Sequence, residues 1–417
     1  MERIKLKKPG LPSLYLFVVF CMTFYAVYFW PFGPLLKYGA MVIGVIVPFI
    51  IDKKFFNSKE FVCFIFYVML IYMNHLIGNE NYSRTRLIYI NSCSLFITLS
   101  MTHYLMNVKN IALFGKIVLT TIVVLIWTAI VTGIMDSTMP GIVRYAIQSI
   151  NQGADVSEFS GFYRMGMSNY LLPHALPIMI PPFVMVLRSG GLSRIQSIMC
   201  YAIIFAILAL LYFSGATGPL LLGVLILILS FIARPGKLSS NIIMVVITVL
   251  LVMPFLMNDD LMLSLFNWLD DLIGNEGHFH SKIMAMQNGI TMGEAQGDFA
   301  ERGDIYQSGL ESIIENPIFG SQKQVAGHSI ILSVFATMGI IGFVPFISIL
   351  IYHIQSVKKH IPDKVRVYYY IGLLAAFLML SMKGIESWEI WFASLTFLPI
   401  SILFFSSIKD NKAKKRI

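Results

Sequence analysis

The sequence predicts an all-α polytopic membrane protein with about twelve transmembrane helices. Hydrophobic residues make up 57% of the chain and charged residues only 13%, whereas roughly a quarter of the residues in soluble proteins are charged. The apolar residues collect in runs of about twenty, the length that a helix needs to cross ~30 Å of hydrocarbon. The basic residues behind the net charge of +9 lie in short clusters between these runs, which indicates membrane topology and not nucleic-acid binding.

The apolar runs set the positions of the predicted spans. The first run follows a basic stretch that begins at Arg3, but no small-residue cleavage site follows it, so we expect a retained helix. All four cysteines fall inside apolar runs, which indicates neither a disulfide nor a cysteine metal site. The predicted spans cover residues 12–30, 35–51, 60–77, 87–105, 111–133, 169–187, 195–213, 216–233, 241–257, 328–353, 366–382 and 388–407.

The distribution of Lys and Arg between the spans predicts that both termini are cytoplasmic. Two long loops, 134–168 and 258–327, then lie on the periplasmic side. We therefore expect three regions. Residues 1–257 carry nine spans and the first loop, residues 258–327 form a large periplasmic loop, and residues 328–417 carry three spans and a basic cytoplasmic tail.

The larger loop is predicted to contain amphipathic helices, and long loops seldom exist without a function. Apolar residues recur at helical spacing from Met262 to Ile273, opposite acidic residues that include Asp270, so this segment is expected on the membrane or on the outer face. A second helix is predicted over about 299–315, since Pro317 disfavours helix just before it.

The segment richest in chemistry begins in this second helix and ends in the tenth span. It contains Glu301-Arg302-Gly303-Asp304, then Asn316-Pro317-Ile318-Phe319-Gly320, then Gly327-His328-Ser329, with Gly339 eleven residues after His328. Two other motifs are Phe162-Tyr163-Arg164-Met165-Gly166 before the sixth span and Ser214-Gly215-Ala216-Thr217-Gly218 between the seventh and eighth spans. In this order the motifs resemble those of the O-antigen polymerase and O-antigen ligase superfamily.

The chain also departs from this family in two ways. The family often has Asn after the histidine, where this chain has Ser329, and often an Arg in the hairpin, where this chain has none. The resemblance implies a C-type glycosyltransferase (GT-C) fold in the bacterial inner membrane, and we expect a Wzy-type polysaccharide polymerase. It implies an undecaprenyl-diphosphate-linked oligosaccharide as donor and as acceptor, membrane lipid as a partner, and a chain-length regulator protein as a further one.

The residue chemistry suits such a reaction. His328 is predicted at the outer start of a membrane helix, where the positive end of the helix dipole favours a neutral imidazole that can act as a general base. Arg164 and Arg302 could together bind a diphosphate through their fork-shaped guanidinium groups. A helix-capping role for His328, and a loop ion pair of Arg302 with Glu301 or Asp304, are the structural alternatives.

Five more residues are candidates for substrate binding: Arg144, Lys323, Tyr163, Tyr306 and Ser329. For the two basic residues the alternative is a plain loop charge, and for the two tyrosines it is packing. No metal or other cofactor is expected, because a diphosphate is already a good leaving group and the predicted first outer loop, 31–34, has no carboxylate. Asp270 and Asp271 are predicted to be solvated on the polar helix face.

Two other functions remain open on the sequence alone. An O-antigen ligase, which moves the finished glycan to lipid A core, would use the same loop and the same histidine. A lipid-linked oligosaccharide flippase or another transporter would usually have charged residues within its spans and repeated halves, whereas the predicted spans here are nearly free of Asp and Glu.

Overall fold

The computed structural model describes residues 42–46, 48–78, 82–151, 156–169, 171–189, 193–234, 236, 298–321, 329–382 and 388–414, with isolated positions between 263 and 287. All regular elements in this part of the chain are helices. The predicted spans 12–30 and 241–257, and the first part of 35–51, lie outside the described residues.

The helices follow the order of the predicted spans, with short helices added in the two outer loops. A short apolar helical stretch, Val42–Ile51, comes first. The labelled helices are α1 (Lys59–Gly78), α2 (Tyr82–Val108), α3 (Ile111–Thr138), α4 (Ile142–Asn151), α5 (Val156–Met165), α6 (Leu172–Arg188), α7 (Arg194–Phe213), α8 (Thr217–Ile232), α9 (Asp298–Glu315), α10 (Ile330–Lys358), α11 (Arg366–Met382), α12 (Trp388–Trp391) and α13 (Leu398–Lys414). A π-helical stretch, Phe392–Phe397, joins α12 to α13.

The described helices make this a multi-pass membrane protein. Five segments are long and apolar enough to cross a membrane: Ile111–Thr138, Arg194–Phe213, Ile330–Lys358, Asp363–Ser381 and Glu389–Ile408. The helix predicted over about 299–315 is confirmed as α9. The total of twelve spans and the GT-C fold stay predictions, while the all-helical membrane architecture is confirmed for the described residues.

Helix α6 lies at the centre of the bundle. Every side chain from Leu172 to Val186 is buried, and α6 packs against α7, α8, α11 and the π-helical stretch. Three prolines interrupt its hydrogen-bond ladder, at Pro177, Pro181 and Pro182. A membrane helix tolerates such breaks because neighbouring helices shield the freed carbonyl groups from lipid.

One end of the bundle collects charged groups. Asp52 Oδ2 lies 2.7 Å from His103 Nδ1 near the end of α2. Lys59, at the start of α1, lies 5.6 Å from the ring centroid of Tyr352 near the end of α10. Lys358 Nζ lies over the ring of Tyr370 in α11. The starts of α1 and α11 and the ends of α2 and α10 therefore lie at the same end of the bundle, and the predicted topology places this end in the cytoplasm.

The π-helical stretch frees a backbone carbonyl inside the bundle. The Leu395 oxygen accepts a hydrogen bond from Thr102 Oγ1 at 2.9 Å and lies 3.2 Å from His353 Nε2. Thr396 Oγ1 lies 2.9 Å from Thr102 Oγ1. Because polar groups in hydrocarbon need a partner within the protein, these contacts join α2, α10 and the last helices at this depth.

Candidate functional site

The candidate site lies at the opposite end of the bundle, where α6, α10 and α12 begin. Of the three predicted catalytic residues, His328 lies outside the described residues, and so do the side chains of Arg164 and Arg302. Lys323 lies outside them as well. The backbone places Arg164 in the last turn of α5 and Arg302 in the first half of α9. What the structure shows at this end is the framework that positions these residues.

Helix α5 ends in a Schellman motif directly after Arg164. The Gly166 amide donates to the Tyr163 carbonyl at 3.0 Å, and the Met167 amide donates to the Phe162 carbonyl at 3.1 Å, the two hydrogen bonds that define this motif. Gly166 has φ +101°, and a Cβ there would lie 2.5 Å from Trp127 Nε1. The helix end that carries Arg164 therefore has a fixed backbone.

A small apolar cluster holds the first outer loop against α3. It comprises Val131, Ile142, Val143, Ala146, Phe159 and Met167, with Met135, Phe162 and Tyr163 packed against it. Burial raises the pKa of the Tyr163 phenol, so this group stays neutral at physiological pH. Tyr163 thus packs against this cluster while remaining partly buried, and its proposed contact with substrate stays a prediction. Arg144 is half-buried in α4 and Tyr306 is partly buried in α9.

Asn169 connects the first outer loop to the last membrane helix. Its Oδ1 accepts hydrogen bonds from the amides of Leu171, at 3.1 Å, and Leu172, at 2.7 Å, at the start of α6. Its Nδ2 donates to Glu389 Oε1 at 3.1 Å. Glu389 is only 6% exposed, so a buried carboxylate lies at this end of the bundle, in contact with the segment that joins α5 to α6.

Sequence reasoning missed Glu389, although a signal was present. An acidic residue within an apolar span is a functional candidate by default, and Glu389 is the second residue of the predicted last span. The scarcity of acidic residues in the predicted spans argues against transport. Each acidic residue that does occur in a span is nevertheless a candidate functional residue. Glu389 is part of the framework that positions α5 and α6.

The hydrogen bond between Asn169 and Glu389 gives the first testable prediction. Glu389→Ala leaves the partly buried Asn169 amide without this acceptor, which costs up to about 1–3 kcal/mol, so we expect a lower unfolding temperature and weaker activity. Glu389→Gln keeps an acceptor oxygen and should behave much like the wild type in both measurements. Thermal unfolding in detergent and glycan analysis of complemented cells test this. A Gln variant as inactive as the Ala variant but normally stable would show instead that the charge is required.

The Asn316–Gly320 turn docks into a break in α10. Gly339, inside α10, has φ +61° and ψ −165°, which interrupts the helix. The amides of Ile340 and Ile341 donate to the carbonyls of Pro317, at 2.9 Å, and Ile318, at 3.3 Å. The turn therefore supplies acceptors that the interrupted helix cannot, and Gly339 has the structural role of forming this break.

The carbonyl groups of Ala336 and Thr337, which precede the break in α10, also accept hydrogen bonds from outside the helix. The Ala336 oxygen accepts from the Ser321 amide at 2.9 Å and from Ser312 Oγ at 3.0 Å. The Thr337 oxygen accepts from Asn74 Nδ2 at 3.4 Å. Helix α9, which carries Arg302, and the turn are thus attached by hydrogen bonds to the main chain of α10 between Ala336 and Ile341.

Ser329 caps α10. Its Oγ accepts a hydrogen bond from the Leu332 amide at 3.1 Å, and its side chain is buried. A serine at this position satisfies one of the free amides at a helix start. The N-cap is thus the residue that follows His328 in the sequence. Capping gives Ser329 a structural role beside the proposed substrate contact.

Asp270 differs from the expectation of a solvated residue. It is 9% exposed, and its Oδ1 lies 2.7 Å from His280 Nδ1. The expectation was wrong because the helical periodicity places Asp270 on the polar face but does not reveal His280, ten residues later, as its partner. Asp271 is exposed as predicted. Within the described residues, no group of three or more His, Cys, Asp or Glu side chains could hold a metal ion.

Part of the chain, including helix α9 and the turn after it, matches a known protein family. Residues 202–326 match the family model Wzy_C, described as O-Antigen ligase. The resemblance to this family is confirmed. A search of curated proteins found no match to the chain.

The Wzy_C match covers the second half of α7, α8, the large loop, α9 and the Asn316–Gly320 turn. It includes Arg302, Tyr306 and Lys323, and it ends two residues before His328. The match implies a glycan-transferring membrane enzyme of the O-antigen ligase or polymerase type, and it suggests lipid-linked glycans as substrates. It is equally consistent with ligase and polymerase activity.

Proposed function

We propose that this protein is a Wzy-type polymerase that joins undecaprenyl-diphosphate-linked oligosaccharide repeats on the periplasmic face of the inner membrane. The observation that carries the proposal is the attachment of α9 to α10 through the Asn316–Gly320 turn, within and next to the Wzy_C match. This attachment fixes the sequence neighbours of Arg302 and His328 at one end of the bundle.

The proposed chemistry is an inverting glycosyl transfer without a metal. His328 takes the proton from a hydroxyl of the acceptor sugar as that oxygen attacks the anomeric carbon of the donor. The bond between this carbon and the diphosphate oxygen breaks, and undecaprenyl diphosphate leaves. Arg164 and Arg302 stabilise the charge that develops on the diphosphate. The proposed substrate contacts are Arg144, Lys323, Tyr163, Tyr306 and Ser329. A chain-length regulator is the proposed protein partner.

Ligase activity is the second candidate function, because the Wzy_C model is described by that activity. The catalytic roles would be the same, with a sugar of lipid A core as the acceptor. The order of motifs in the sequence is shared by both activities, so a deletion strain has to distinguish them. Transport is not supported by the described residues, in which the outer-end polar groups form a fixed framework of backbone hydrogen bonds.

A deletion strain separates the two activities. If the protein is a polymerase, deletion should leave lipid A core that carries a single repeat, because the ligase still acts on the unpolymerised unit. If it is a ligase, deletion should leave bare core with polymer on the carrier lipid. Gel analysis of lipopolysaccharide and of extracted carrier lipid reads out both results. Complementation by the wild-type chain is the control, and unchanged surface glycan would refute both functions.

A further inference from the structure

The end of α9 and the turn that follows lie beside a helix long enough to cross the membrane. Their hydrogen-bond partners in α10 run from Ala336 to Ile341, whereas α10 begins at Ile330 and is apolar from its first residue. At 1.5 Å per residue, these partners lie about 9 to 16 Å below the start of the helix. Segment 312–321 therefore lies beside the first half of α10, away from its end.

The exposed side chains of this segment are apolar on one flank. Leu310, Ile314, Ile318 and Phe319 are 55%, 79%, 53% and 65% exposed. We call these four residues the apolar flank. A cluster of large apolar side chains is unfavourable in water, so their exposure points to contact with another apolar phase.

The apolar flank continues onto the exposed surface of α10. Ile340, whose amide bonds to the Pro317 carbonyl, is 49% exposed, and Val344, one turn further along α10, is 53% exposed. Exposed apolar residues on a membrane-crossing helix face the acyl chains of the bilayer. Ile318 therefore adjoins the start of this lipid-facing surface.

A second exposed flank of α9 is polar. Gln307, Glu311 and Glu315 are exposed, and Gln307 Nε2 donates to Glu311 Oε1 at 2.9 Å. A carboxylate is strongly disfavoured in the hydrocarbon core, so this flank has to remain in water. Helix α9 thus carries three faces: a buried face against α10, an apolar flank and an acidic flank.

We infer that the last two turns of α9 and the Asn316–Gly320 turn are inserted into the outer leaflet, with the apolar flank in contact with lipid acyl chains. Non-helical backbone is tolerated at this depth when its polar groups are paired, and the amide of Gly320 and the carbonyls of Pro317 and Ile318 all have partners. Because Glu311 follows Leu310 directly in the helix, the acidic flank lies next to the apolar flank on the exposed side of α9, and it remains in water. The inference is independent of the proposed function.

Site-directed fluorescence tests this insertion in the full-length protein. The background is a chain whose cysteines, at positions 21, 63, 93 and 200, are replaced by Ala. Single variants Ile314→Cys and Phe319→Cys are labelled with bimane and placed in vesicles of phosphatidylcholine with or without brominated acyl chains. Val344→Cys is the lipid-exposed reference, and Glu311→Cys, on the same helix, is the matched control for the acidic flank.

We expect brominated lipid to quench the fluorescence at positions 314 and 319 about as strongly as at position 344. A membrane-impermeant maleimide should label position 311 and leave positions 314 and 319 unlabelled. Rapid maleimide labelling at 314 and 319 would overturn the insertion and place α9 on the surface in water. If brominated lipid did not quench positions 314 and 319 and the maleimide did not label them, the insertion would also be overturned, because the apolar flank would then be covered by protein. Monodisperse elution of each variant in detergent establishes that it is folded.

Discussion

Replacing His328 by Ala should abolish polymer formation while the protein still accumulates in the membrane. The imidazole is the proposed general base, and loss of a general base typically lowers a rate by ~10²–10⁴. The residue lies just before the N-cap of α10, and Ser329 supplies the cap hydrogen bond by itself. Removal of the imidazole should therefore leave the helix start intact. Polymer length in complemented cells and rates on purified lipid-linked repeats measure the effect.

Two sets of variants sharpen this test. Arg164→Lys and Arg302→Lys keep the charge but lose the bidentate fork, so both should be impaired almost as badly as the Ala variants. His280→Ala is a control in the same loop, because His280 is paired with the buried Asp270 and has no proposed role in catalysis. Normal polymer with His328→Ala, together with its loss in His280→Ala, would move the base to His280 and Asp270.

Replacing Gly339 by Ala should destabilise the protein more than the same change at any exposed turn. A Cβ at Gly339 would lie 2.2 Å from the Ile318 carbonyl oxygen, and one at Gly320 would lie 2.3 Å from Thr337 backbone atoms. Both glycines have positive φ, which costs another residue about 1–2 kcal/mol. Displacing the turn also breaks hydrogen bonds worth about 1 kcal/mol each.

The matched control is Gly141, which has φ +75° but no neighbouring atom within 4 Å of the point that an added Cβ would occupy. Gly141→Ala carries the conformational cost alone, about 1–2 kcal/mol. We therefore expect Gly339→Ala and Gly320→Ala to lower the unfolding temperature in detergent by clearly more than Gly141→Ala does, and to abolish polymer. Equal shifts for all three variants would show that the turn can move away from α10 without loss.

The features that could be predicted from the sequence are those set by neighbouring residues along the chain. The α9 boundary followed from Pro317, whose ring excludes helix just before it, and the membrane helices followed from apolar runs of the right length. The motif order predicted the family that the Wzy_C match confirms. These features depend on neighbours along the chain or on bulk hydrophobicity.

The features that were not predicted all depend on pairing between distant residues. Asn169 and Glu389 are separated by 220 positions, and nothing in either segment indicates the other. The bond between Asn74 and Thr337 spans 263 positions. Asp270 and His280 are closer in sequence, but helical periodicity alone cannot show that an acidic residue turns inward to meet a partner. Residue type identified the candidates, and only the three-dimensional packing identified their contacts.

The docking of the Asn316–Gly320 turn into α10 also limits how such proteins can be recombined. Amides at the break in α10 donate hydrogen bonds to carbonyl groups of the preceding turn, as the Ile340 amide does to the Pro317 carbonyl. A chimera with a junction between the loop and the helix would join two halves of one interlocked unit from different parents. Exchange of the outer loop between related enzymes should therefore succeed when the junction lies beyond Ile341, so that the turn and its receiving helix break are inherited together.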